Sequence, residues 1–216
     1  MIKEDFIVIT PTGLYCRYGD FYLDPQQPVK EAVVSHAHGD HAIGGSQNVY
    51  CTAPTMSFMK HRYRKFAAVD FHVKPYYEQF KIGAVLITFY SAGHILGSAQ
   101  VLMEYEGVKY LYTGDYKIEP DDSCEPFEFV QADVLITEST FANPETIHPS
   151  PIVEIEKLNG TPSNIMLGAY ALGKSQRLIQ LMNQYCPGKN VMVHHSIMPL
   201  VKIYEDYGVK LGSYKM

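Results

Sequence analysis

Residues 35–41 read Ser35-His36-Ala37-His38-Gly39-Asp40-His41, which places four potential metal ligands within six residues. The run follows residues 31–35, whose β-branched and apolar side chains read as a strand. A strand end that opens into a loop can aim His36 and His38 at one ion, because positions i and i+2 share a side. The turn at Gly39 then lets Asp40 and His41 face a second ion. Imidazole and carboxylate are ligands that Zn²⁺, Mn²⁺ and Fe accept. A chain carrying this run is expected to gather strand ends and loops around it.

Two further segments supply matching ligands. His94 lies in Ser91-Ala92-Gly93-His94-Ile95-Leu96-Gly97-Ser98, after a strand expected over 84–90, and its small neighbours leave room for an ion and a substrate. Asp115 lies in Thr113-Gly114-Asp115-Tyr116, after a strand expected over 109–112. Other strands are expected at 6–10, 20–23, 49–52, 99–104 and 133–137, with a Glu-Gly hairpin turn before Lys109 and a helix over 54–65. Residues 142–163 hold Pro144, Pro149, Pro151, Pro162 and the pair Asn159-Gly160, which reads as a boundary or crossover, not a helix interior. A β-α-β-α pattern follows, with strands at 165–169 and 191–194 and helices at 173–185 and 198–207. The expected organisation is an α/β metal-binding domain over 1–150 and a second segment over 151–216.

Composition bounds the partners. The 216 residues are 46% apolar with a net charge of −5, so the chain reads as globular and no global positive field announces a nucleic-acid binder. The charge is uneven: residues 1–150 carry −8 and residues 151–216 carry +3. The cluster Lys60-His61-Arg62-Tyr63-Arg64-Lys65 reads as a solvated helix face or as a set of phosphate contacts. Four cysteines at least 35 residues apart, with no CxxC pair, fit reduced thiols in a cytoplasmic protein. The opening MIKEDFIVIT does not read as a signal peptide, and no apolar stretch reaches the roughly 18 residues of a spanning helix.

The sequence HAHGDH, then Gly-His-Ile-Leu-Gly-Ser at 93–98, then Thr-Gly-Asp-Tyr at 113–116, resembles the metallo-β-lactamase-fold hydrolases. Asp-Val-Leu-Ile-Thr-Glu-Ser-Thr at 133–140 and Gly-Ala-Tyr-Ala-Leu-Gly-Lys-Ser-Gln at 168–176 resemble the β-CASP nuclease branch of that fold. The likeness is to bacterial ligase-associated DNA exonucleases and mRNA 3′-end processing factor-like proteins, over nearly the whole chain. It implies an αββα sandwich with a partial β-α-β-α cap lobe.

The same resemblance implies that His36, His38 and His94 hold a first divalent ion, that Asp40 and His41 hold a second, and that Asp115 bridges both. Asp24 would orient the ligands, and Glu138 would support a catalytic histidine beside the catalytic Asp40 and Asp115. Gly173, Lys174 and Ser175 open a cap helix and are candidate phosphate contacts. The implied activity is hydrolysis of DNA or RNA by a hydroxide shared between two ions, Zn²⁺ first with Mn²⁺ or Fe as substitutes, and exonucleolytic rather than endonucleolytic. The alternatives are a thioester or lactone hydrolase of the same fold, or an inactive metal-bound nucleic-acid-binding module. In the family, two further histidines follow the cap; this chain shows no counterpart through Met216, and His61, His72, His148, His194 and His195 are poor substitutes. The second ion is thus expected to be short of a ligand, unless a homo-oligomer completes the site in trans.

Overall fold

Short runs that alternate buried and exposed side chains build two β-sheets in the computed structural model, which describes residues 1–216. The chain divides into one unit of Met1–Pro120 with Cys124–Glu138, and a second of Asp121–Ser123 with Ser139–Met216. In the first unit, β1 (Ile7–Thr10), β2 (Gly13–Cys16), β3 (Phe21–Leu23), β4 (Glu31–Val33), β5 (Ser46–Cys51) and, after helix α1 (Ala53–Tyr63), β6 (Ala68–Val73) lie side by side in chain order. The pairs from β1 to β3 are antiparallel, and those from β3 to β6 are parallel. The second sheet holds β7 (Gln79–Ile82), β8 (Val85–Ser91), β9 (Ala99–Tyr105), β10 (Val108–Tyr112) and β11 (Val134–Ile136) in the order β11-β10-β9-β8-β7. Only β10 and β11 run parallel in it.

The apolar faces of the two sheets meet. Phe6, Cys16, Phe21, Leu23 and Val33 from the first pack with Phe80, Ile87, Phe89, Val101, Met103 and Tyr110 from the second. Their burial is the main force closing the sandwich, at roughly 1.5–3 kcal/mol per large apolar side chain. Against the other face of the first sheet lies α1, whose Met59 packs with Ala32, Val34, Val49 and Cys51. The expected two-sheet α/β sandwich is therefore present. Thr52 caps α1 by accepting a bond from the Thr55 N–H, and Pro54 lies in the first turn, where no donor is needed. Glu106 and Gly107 join β9 to β10 with φ of 48° and 77°, as the hairpin reading required.

The second unit departs from its expected pattern. Its helices are α2 (Pro151–Glu156), α3 (Lys174–Tyr185) and α4 (Met198–Asp206). The strand expected at 165–169 does not form, and that at 191–194 shrinks to one bridge between Met192 and Lys215. An extended run becomes a strand only when a neighbour takes its backbone groups; here Met166 is 95% exposed and no ladder reaches it. The stretch 142–163 does contain a helix, because Pro151 stands in the first turn of α2 and starts it rather than interrupting it. Ile155 of α2 then packs with Met182 and Cys186 at the end of α3. No helix is long and apolar enough to cross a membrane.

Candidate metal centre

Each expected ligand lies just past a strand of the sandwich. His36, His38 and His41 follow β4, His94 follows β8, Asp115 follows β10, and Asp24 follows β3. A hydrogen bond from the Ala99 N–H to the Ser35 carbonyl, 2.8 Å long, ties the two sheets together at this edge. Two glycines let the loops converge. Gly114 has φ +55°, and a Cβ there would lie 2.7 Å from the Ser35 hydroxyl. At Gly93, with φ +66°, a Cβ would collide with the Lys117 carbonyl and the backbone of Phe127. Gly93→Ala is accordingly expected to destabilise the protein by about 2–4 kcal/mol, through backbone strain and overpacking, which a urea titration would measure.

The side chains converge as ligands do. His36 Nε2 lies 3.0 Å from His38 Nδ1, and His94 Nε2 lies 3.1 Å from the same nitrogen. Asp115 Oδ2 stands 3.8 Å from His36 Nε2 and 3.7 Å from His94 Nε2. Donor atoms around a tetrahedral ion with bonds of roughly 2.0–2.2 Å are roughly 3.3–3.6 Å apart, and these spacings bracket that range within a few tenths of an ångström. The other oxygen of Asp115 lies 3.2 Å from His41 Nε2. One carboxylate thus faces both the three-histidine set and His41. Asp24, His36 and His41 form a second group of converging donors.

Protonation follows from burial and company. Burial first, and then the neighbouring imidazoles, hold His36 far below its usual value, and the same causes lower His94 to about 4. Both rings are neutral near pH 7, with lone pairs for an ion. At His41 burial also opposes charge, but hydrogen bonds to Asp115 and Asp24 outweigh it and raise the ring to about 10. Asp24 is the hub behind this set. Its Oδ1 accepts the Ser35 N–H at 2.7 Å, while Oδ2 accepts the Ser35 hydroxyl at 2.5 Å and the Tyr112 hydroxyl at 2.9 Å and meets His41 Nδ1 at 2.8 Å. Burial and the charge of Asp24 push the Tyr112 phenol far above its ordinary value, which keeps it a donor.

Three expected site features fit less closely. The Asp40 side chain is 77% exposed and stands 3.8 Å from His41 Nε2, at the rim of a hollow of about 250 Å³ lined also by Gln26, His41 and Tyr112. Glu138 accepts the Tyr116 N–H at 3.3 Å, beside Asp115 rather than among the ligands. At the start of α3 the backbone donors are already engaged: Gly173 to the Gln176 side chain, Lys174 to the Leu172 carbonyl, Ser175 to the Tyr170 carbonyl. These three N–H groups are already paired within the chain, so a phosphate at Gly173, Lys174 and Ser175 would find no free backbone donor among them. Conversely, Tyr112, Ser35, Thr52 and Glu125 were not anticipated. Glu125 accepts the Gly97 N–H and Thr52 donates to the Gly97 carbonyl, which pins the loop of His94.

No family model matches the chain. It is 34% identical over 216 residues to a protein of Opitutus terrae named a probable DNA ligase, with 94% of this chain and 20% of that one covered. An RNase J-like protein of Methanocaldococcus jannaschii is 29% identical, over 82% of this chain and 49% of its own length. The endoribonuclease YSH1 of Mycosarcoma maydis is 36% identical, over 57% and 14%. The chain belongs to the β-CASP branch of the metallo-β-lactamase fold. This β-CASP chain spans between one seventh and one half of the length of these relatives. A crystal structure of a protein of unknown function from Enterococcus faecalis matches with a TM-score of 0.53 at 13% identity, over 84% of the β-CASP chain and 50% of that one, which shows the shared fold.

Proposed function

We propose that this β-CASP chain is a metal-dependent phosphodiester hydrolase acting on DNA or RNA, exonucleolytically. The observation that carries the reading is the convergence of His36, His38, His94 and Asp115, from the ends of three strands, with all donor atoms within 4.8 Å. Relatives named RNase J-like and endoribonuclease support the substrate class. In this reading His36, His38, His94 and Asp115 would hold a first ion, and His41, Asp40 and Asp115 would hold a second. Divalent ions, Zn²⁺ first and Mn²⁺ or Fe next, supply Lewis acidity toward a phosphate oxygen and lower the pKa of a bound water toward about 7. Asp115 sets the spacing, because its two oxygens face separate histidines. Asp24 holds the His41 ring from behind, so that Nε2 is the nitrogen presented. Asp40, 3.8 Å from His41 Nε2 at the rim of the hollow, would help orient the attacking water. Glu138 steadies the turn after Asp115 through the Tyr116 N–H.

Hydrolysis of bis(p-nitrophenyl) phosphate and of an end-labelled single strand, with added Zn²⁺ or Mn²⁺, tests this. Cleavage that stops with chelator and releases mononucleotides supports it; hydrolysis of a thioester but of neither phosphodiester contradicts it. The proton inventory gives a further expected result. Above pH 6 His36 and His94 are already neutral, so these two ligands need release no proton to Mn²⁺ between pH 6 and 8. An ion at His41 must displace a proton from a group raised to about 10, so its affinity should climb about tenfold per pH unit over that range. Calorimetric titrations at pH 6 and 8 would show one pH-steep class of site and one less steep.

A further inference from the structure

The first unit is acidic, yet one short segment of it is strongly basic. The unit carries a net charge of −5, and Lys60, Arg62, Arg64 and Lys65 supply four of its eleven positive charges within six positions. All four are exposed, at the end of α1 and in the 3₁₀ turn Arg64–Phe66 that follows. Cations at a helix C-terminus complement its dipole, which accounts for Lys60 and Arg62 but not for the two beyond the helix. Rings face three of the cations: Lys60 Nζ lies 5.3 Å from the Phe71 centroid, Arg62 5.6 Å from Tyr63, and Lys65 5.1 Å from Phe66. The Phe66 ring itself is 69% exposed.

Two details argue that this surface does more than keep the helix soluble. Arg62 donates to the carbonyl of Ala37 at 2.7 Å, and Ala37 stands between His36 and His38. The ridge therefore begins at the loop that carries the metal ligands. Arg64 adopts φ 53° and ψ −125°, a conformation that glycine takes without cost and that other residues rarely adopt. Its N–H closes the last turn on the Lys60 carbonyl, a role glycine fills better. An arginine kept at a strained position, on an exposed ridge, points to a use for its charge.

We propose that Lys60, Arg62, Arg64, Lys65 and the ring of Phe66 form a docking surface for single-stranded nucleic acid, running up to the loop of His36 and His38. Cations interleaved with an exposed ring fit a strand whose phosphates and unstacked bases are both accessible; a duplex offers only its phosphates. The proposal rests on the nuclease reading above and names where the substrate strand lies.

The test is fluorescence anisotropy of a labelled single-stranded oligonucleotide, with chelator present so that nothing is cut. Replacing three charges, K60Q/R64Q/K65Q, should reduce the slope of log affinity against log salt by about 2, at roughly 0.7 for each phosphate no longer neutralised. Phe66→Ala should weaken single-strand binding roughly tenfold and leave duplex binding unchanged. Arg64→Gly separates binding from folding: it should melt roughly 2–4 °C higher, because its strain is relieved, and still bind less tightly. An unchanged salt slope overturns the proposal, and so does equal loss of single-strand and duplex binding in Phe66→Ala. Hydrolysis of bis(p-nitrophenyl) phosphate by the wild-type chain decides the nuclease reading separately, since that small diester does not need the ridge.

Discussion

Asp24→Ala is expected to cost about 3–5 kcal/mol of stability and to weaken metal binding about 10- to 100-fold. The carboxylate is 6% exposed and serves the Ser35 N–H, the Ser35 hydroxyl, the Tyr112 hydroxyl and His41 Nδ1. Its removal leaves the Ser35 N–H, the Tyr112 hydroxyl and His41 Nδ1 without that acceptor, and the Ser35 hydroxyl with His36 Nδ1 alone; a methyl group offers them nothing. The backbone adds a smaller effect of the same sign, since Asp24 has φ 42° and alanine tolerates that left-handed region less well than aspartate does. Tyr112→Phe removes only one of the four bonds and should cost about 1 kcal/mol. Urea unfolding of the metal-free proteins gives the stability terms, and competition with a chromogenic chelator gives the affinities. An Asp24→Ala chain that unfolds at the wild-type midpoint would show that Asp24 does not organise the site.

Asp115→Asn should abolish most of the hydrolysis while leaving the fold intact. Asp115 is the one carboxylate whose oxygens face both the three-histidine set and His41, and its side chain is 30% exposed. An amide keeps the shape but loses the negative charge that offsets the cations, and it puts an N–H₂ group where one ion needs a lone pair. A loss of several kcal/mol of transition-state stabilisation corresponds to about 10³-fold or more in rate. Stability should fall only modestly, because the residue is partly solvated and the amide oxygen can still accept from the charged His41 ring. Initial rates on bis(p-nitrophenyl) phosphate, at saturating Mn²⁺, measure the effect. A rate within about tenfold of wild type would remove Asp115 from the proposed machinery.

The ligands were legible in the sequence because metal sites concentrate rare side chains at strand ends. His36, His38, His41, His94 and Asp115 each follow an apolar run, and the structure brings them together. Asp40 shows the limit of spacing alone. The turn in which the N–H groups of His41 and Ala42 both reach the His38 carbonyl leaves the Asp40 carboxylate in solvent, beside the cluster rather than within it. Tyr112 and Ser35 could not be found locally. Their hydroxyls matter only because β10 and β4, which belong to different sheets, bring them to Asp24, 88 and 11 residues away in the chain. Glu125 and Thr52 act on Gly97 in the same way, from 28 and 45 residues away.

The fold follows the same division. The longer runs at β8, β9 and β10 were recognised nearly to their ends, since each is anchored by side chains in the sandwich core. By contrast β6, which no expected strand covered, has exposed Val69, Asp70 and Val73 and no clear alternation, because it lies at the edge of its sheet. In the second unit, β propensity at 165–169 found no partner strand, so propensity alone misled.

Elemental analysis decides whether His36, His38, His94 and Asp115 form a metal centre. The chain would be loaded with excess Zn²⁺ or Mn²⁺, dialysed extensively, and assayed for ions per chain beside His38→Ala. We predict at least one ion retained per wild-type chain, with a second whose retention falls as the pH drops from 8 to 6, and loss of the first in His38→Ala. A wild-type chain that retains no ion, or a His38→Ala chain that retains as many as wild type, would contradict the account.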